Sequence, residues 1–199
     1  EISESTRLNE ILLEDHINTN LIKDWSQSAK QQQGIILRNE IELVIGLDFG
    51  TTSTKVIIRD EARELAWAIP FNKETENRYL LKSGVYLDHD CYTLKGPSEN
   101  LQSDLKTSLI LGNLDHEKTP HLIAFLALVI RYSRNWFLDK HAREYRFNKF
   151  IWYHNLGMPS EIFNRNNLVI ENHFKRLLCQ SVMTANKSDN TITRTSISA

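Results

Sequence analysis

The sequence predicts an α/β body built on one core, and three observations carry that expectation. From Ile41 onward, runs of apolar, β-branched and aromatic residues are broken by Gly, Pro, Asn and Asp, the texture of strands and turns. Past Glu99 the apolar spacing turns helical, first briefly and then in a long run from His121 to about Lys140. "KFIWYHNLGMPS" then returns to strand character before a last helical stretch. Strands, a short and a long helix, a strand and a helix in that order make a sheet with helices packed on it.

Composition supports a globular reading. The 199 residues are 41% hydrophobic and 25% charged, enough for one core of ordinary size or for one lobe of something larger. A net charge of −1 supplies no global field toward nucleic acid or anionic membrane, so neither is an expected partner. The longest apolar run, "LIAFLALVI" (Leu122 to Ile130), is far short of the roughly 20 residues a membrane-spanning helix needs and reads as a buried helix. Cys91 and Cys179 stand far apart with no ligand-spaced His or Cys beside them, which excludes a local zinc motif and a disulfide framework. With no apolar leader at Glu1, a reducing cytoplasm is the expected compartment. Glu1 in place of Met and the aromatic-free tail "NKSDNTITRTSISA" read as the ends of a piece of a longer polypeptide.

Taken in order, residues 4–28 place Leu8, Ile11, Leu12, Ile17, Leu21, Ile22 and Trp25 at amphipathic helical spacing, and "SQSAKQQQG" follows as a polar linker ending in Gly34. Residues 1–34 are therefore expected to be a helical N-terminal extension and 35–199 the main body. "IELVIGLDF" is an almost continuous apolar run and predicts a central strand covered on both faces. Ile41 to Phe49, Lys55 to Arg59 and a strand within Leu65 to Asn72 should form an antiparallel meander, with Phe150 to Asn155 added beside the first strand. "SGVYLDHDCYTLKG" alternates loosely and predicts a further strand pair, and "ENLQSDLKTSLILGN" a short helix stopped by Gly112. The "KFIWYHNL" strand should be buried and end at Gly157 and Pro159. Ser160 can then cap a helix with Glu161 in its first turn, continuing through Phe174, Leu177 and Leu178.

The chemistry concentrates in "DFGTTSTK", between the first two predicted strands. A phosphate-binding loop needs inward-pointing backbone N–H groups, glycine where the chain approaches closely, hydroxyl donors and often a lysine. Gly50, Thr51, Thr52, Ser53, Thr54 and Lys55 supply these, and Asp48 can hold a hydrated metal ion. The "GxxxxGK[ST]" loop is absent and so is the "GxGxxG" turn, which leaves a strand-loop-strand phosphate clamp, weighed against a polar hairpin turn with no ligand. His116, His121, His141 and His154 have no metal-binding spacing and read as surface or core residues. Trp136, Phe137 and Trp152 stand beside apolar runs and read as core. "KHAREYRFNK" reads as a solvated helix end.

"GLDFGTTSTKVII" resembles the first phosphate motif of the superfamily of actin, DnaK-type heat-shock chaperones and sugar kinases, a strand ending in Asp-x-Gly-Thr-Thr/Ser followed by a second strand. "KSGVYLD", "YTLKG", "LKTSLILG" and "FIWYHNLGMPSEIF" resemble, in matching order, the chaperones' Pro-Ser-Val-Val strand, Val-Gly-x-x-Ala turn, Phe-Lys-Arg-Leu-Ile-Gly segment and Val-Pro-Ala-Tyr-Phe strand end. The resemblance implies a ribonuclease-H-like mixed sheet with flanking helices, here the first half of lobe one of a two-lobed ATPase. The second phosphate motif (Asp-x-Gly-Gly-Gly-Thr) has no match in these residues. By resemblance, Asp48 positions magnesium, Gly50, Thr51, Thr52 and Ser53 hold the β- and γ-phosphates of ATP, and Lys55 neutralises charge on the transferred group together with Lys106, which stands where the chaperones carry a catalytic lysine. The expected function is an ATP-binding, chaperone-like module whose nucleotide state drives a partner or substrate domain. A small-molecule kinase of the sugar-kinase branch and a non-catalytic actin-like scaffold are the alternatives.

Overall fold

The computed structural model describes residues 39–73, 76–110, 117–145, 148–158, 168–189 and 191–198. The expected helical extension over 1–34, the Gly112 stop and the Ser160 cap with Glu161 lie outside the described residues. The rest is a mixed α/β structure with two sheets and, among the described residues, five helices.

β1 (Asn39–Phe49) pairs antiparallel with β2 (Ser53–Asp60), which carries β3 (Leu65–Ala68) on its far edge, as the meander predicts. A two-residue strand, β4 (Leu81–Lys82), continues along that same edge of β2 opposite Ser53 and Thr54. On the other side of β1, β8 (Asn148–Leu156) runs parallel, so the path across the first sheet is β3-β2-β1-β8 with β1 interior. A parallel neighbour needs a long crossover. Here the crossover contains α1 (Leu105–Ile110) and α2 (Lys118–Tyr145). The second sheet is smaller. The predicted pair β5 (Val85–Asp88) and β6 (Cys91–Thr93) is flanked by β7 (Leu101–Gln102) and β9 (Ile192–Thr193). A single 3-10 turn covers Ser98–Asn100, α3 spans Leu168–Asn186 and α4 spans Arg194–Ser198.

α2 is the centre of the core. Every residue from Leu122 to Ile130 is buried, as expected of an apolar run too short for a bilayer, and no helix among the described residues is long and apolar enough to cross a membrane. Phe125 meets Phe49 of β1 at 5.6 Å between ring centroids, and Phe137 meets Trp67, Phe150 and Trp152 edge-on. Such tilted aromatic pairs add to the area they bury. Two polar side chains of α2 are tied to backbone carbonyls: Tyr132 Oη donates to Pro70 O at 2.7 Å, and Arg131 donates to Ala185 O, Thr184 O and Lys187 O around the C-terminus of α3. Thr184 O also accepts from Lys187 N at 3.2 Å, and the guanidinium adds donors to the carbonyls at this helix end.

Two strand expectations need correction. β1 is not covered on both faces. Leu43, Ile45, Leu47 and Phe49 are buried against the helices, whereas Glu40, Glu42 and Asp48 on the alternate face are exposed. The run reads as continuous because Val44 and Gly46 occupy two positions of the open face, and glycine brings no apolar side chain to bury. β8 is only partly buried, because it pairs with β1 on one edge and with no described strand on the other. Its Phe150, Trp152, His154 and Leu156 lie in register with the covered face, while Tyr153 is 47% exposed on the open one.

Candidate functional site

Three residues, Gly50, Thr51 and Thr52, join β1 to β2. Gly50 N donates to Ser53 O at 3.1 Å and closes the turn. A Cβ at Gly50 would collide with that same carbonyl oxygen, so the turn itself demands glycine, whatever approaches from outside. Thr51 and Thr52 are exposed, and Gly50 and Ser53 are half-buried. The loop therefore presents backbone and hydroxyl groups to solvent at the end of the interior strand.

A second segment braces it. Ser83 N donates to Thr52 O at 2.9 Å, the Thr54 and Ser83 hydroxyls share a buried hydrogen bond of 2.8 Å, and Lys82 sits directly opposite Ser53 in the β2–β4 pairing. From the other side, Gly157 N donates to Leu47 O at 2.8 Å just past the end of β8. An added Cβ on Gly157 would reach 3.4 Å from that oxygen and 3.8 Å from Asp48 Cα, so β8 ends against the metal-ligand candidate.

Asp48, Gly50, Thr51, Thr52, Ser53 and Lys55 are thus held as one contiguous group, and the fold brings Lys106 to them from α1. Lys106 Nζ lies 5.9 Å from the centre of the Phe49 ring, within cation–π reach. Burial pushes its amine below the ordinary lysine range, and the Asp48 carboxylate pulls it partly back, which places the two groups within electrostatic range. The lysines are not side by side. Asp48 and Lys55 are cross-strand partners on the open face, whereas Phe49 and Lys106 belong to the helix-covered side. Among the described residues no carboxylate lies within ion-pair distance of Lys55, Lys82 or Lys106.

Asp48 offers one exposed carboxylate, and no group of three or more His, Cys, Asp or Glu among the described residues gathers at a point. That donor set fits magnesium, which keeps several waters and is commonly held through one or two carboxylates plus phosphate oxygens. Three of the histidines serve packing: His121 Nδ1 shares a buried hydrogen bond of 2.9 Å with Tyr92 Oη, His141 lies among Trp67, Trp136 and Phe137, and His154 Nε2 meets an Arg134 Nη at 2.8 Å, while His116 lies outside the described residues. Lys82, Ser83 and Gly157 border the candidate loop, a place the sequence assigned to none of them. "KSG" reads as the start of a strand, and no local spacing ties it to a loop some thirty residues earlier. No known protein-family model, curated protein or solved structure matches this chain.

Proposed function

We propose that this chain supplies the first phosphate-binding half of an ATP-binding, DnaK-type chaperone-like module, built on a ribonuclease-H-like sheet, whose nucleotide state drives a partner or substrate domain. One observation carries the reading. A turn of exposed backbone and hydroxyl donors closes the interior strand β1 against β2, while the parallel strand β8 ends beside it at Gly157. In sheets that contain parallel strands, ligands bind outside the carboxyl ends of those strands. The loop leaves the carboxyl end of β1, beside which the parallel strand β8 also ends.

In this reading Asp48 would hold hydrated magnesium, which when bound would offset phosphate charge. Gly50, Thr51, Thr52 and Ser53 donate to the β- and γ-phosphates, and Lys55 and Lys106 approach from opposite sides of the sheet to offset negative charge. The test is calorimetric titration of the full chain with ATP, with and without magnesium. Asp48→Ala should weaken the magnesium-dependent part of binding by about tenfold or more, because the ordered hydration shell loses its acceptor. Unchanged affinity in a variant with wild-type circular dichroism would remove the nucleotide role from this loop.

A further inference from the structure

We infer that Lys82 is a phosphate-binding residue of this site, reaching the polyphosphate from the open face of the sheet beside Lys55. The inference rests on the nucleotide reading above and adds a contact to it. Lys82 is fixed relative to the loop by its neighbours: Leu81 and Ser83 are buried, Ser83 is hydrogen-bonded to both Thr52 and Thr54, and Lys82 itself is exposed opposite Ser53. Paired residues of a sheet share a face, as do residues two apart on one strand, so Lys82, Ser53, Lys55 and Asp48 all lie on the open side.

Lys55 is then the diagonal neighbour of Lys82, about 7–8 Å away between backbones, a distance two lysine side chains readily span. Like charges so placed repel, and Asp48 is the single carboxylate in register with them. A multiply charged anion lying over Ser53 would accept from both amines and relieve that repulsion, and the triphosphate of magnesium ATP is such an anion. Lys106 holds the opposite flank, over Phe49. The loop is thereby gripped from both faces of the sheet.

The experiment titrates the full chain with magnesium ATP, inorganic tripolyphosphate and AMP. Lys82→Ala should weaken ATP and tripolyphosphate by about five- to tenfold, the loss of one exposed charge-assisted contact. Lys82→Glu should weaken them further, Lys82→Arg should retain most of the affinity, and AMP should be unaffected throughout. Lys175→Ala on α3, whose amine pairs with Glu171, should change nothing. Wild-type tripolyphosphate affinity in both Lys82→Ala and Lys82→Glu overturns the inference and leaves the nucleotide reading standing. Failure of the unmodified chain to bind either ATP or tripolyphosphate overturns the nucleotide reading, and this inference with it.

Discussion

The two faces of the first sheet are made by alternate residues of the same strands, yet they hold different chemistry. Toward the helices, Leu43, Ile45, Leu47, Phe49, Val56 and Ile58 are sealed from water. Polar side chains that intrude there include Thr54, partnered by Ser83, Asp60, by Tyr145, and His154, by Arg134. On the open face, Asp48, Lys55 and Lys82 stand in solvent with no ion pair among the described residues. A buried polar group without a partner loses its hydration for nothing, whereas an exposed charge keeps its water until a ligand displaces it. The covered face therefore stabilises the fold, and the open face keeps its charges available at the loop where the two sides meet.

The largest test of this contrast compares neighbours on β2. Ile58 is fully buried and Ile57 is 50% exposed. Ile58→Ala should cost about 2–5 kcal/mol, while Ile57→Ala should cost less than about 1 kcal/mol, both read from urea denaturation midpoints. Equal losses would mean that the open face is covered in solution.

A smaller effect is expected at Asp60. Its carboxylate is buried, accepting from Tyr145 Oη at 2.9 Å and from Arg63 N at 3.1 Å, and it lies 3.7 Å from the Arg63 guanidinium. Burial, together with the hydrogen bond to Asp60, pushes the Tyr145 phenol up to about 12. Asp60→Ala would strand that hydroxyl at a loss of about 1–3 kcal/mol, and Tyr145→Phe made alongside it should recover part of that loss. Strictly additive losses in the double-mutant cycle would show that the two groups do not act as a pair.

The smallest effect concerns His154. Burial first, and then the neighbouring Arg134 charge, lower its imidazole to about 4. The folded chain therefore keeps the ring neutral at pH values where the unfolded chain, titrating near 6.5, already takes up a proton. Its contribution is whole above about pH 6.5 and is lost as the pH falls toward 4. After allowance for its partial exposure, the loss is about 1 kcal/mol. His154→Gln should flatten the stability profile in that interval relative to wild type. Parallel profiles would place the acid sensitivity elsewhere.

Much of this was legible locally. The meander of β1, β2 and β3 and the helical run from His121 to Lys140 follow from apolar periodicity and turn residues within short windows, whereas the place of β8 beside β1 was expected from the family resemblance and its parallel direction was not read at all. The loop was legible locally too, since "DFGTTSTK" is contiguous and its glycine, hydroxyls and charges are adjacent in the chain. One-sided burial of β1 was not legible, because Val44 and Gly46 disguise an alternating strand as a continuous one. The partial exposure of β8 was hidden in the same way, since edge position is a property of the sheet and not of the strand.

What the sequence determined by itself is therefore whatever a residue and its near neighbours decide: strand or helix, turn or run, and the donor-rich composition of the loop. What only the tertiary structure decided is whatever depends on parts distant in the chain arriving together. Lys106 comes to Phe49 by way of α1, Ser83 and Lys82 come to the loop by way of β4, and Arg131 reaches the end of α3 more than fifty residues later. Periodicity states which face a side chain occupies, but not what will cover that face or which charge will stand opposite. Those choices follow from strand order and helix placement, which close the long loops between distant segments only when the whole core is buried at once.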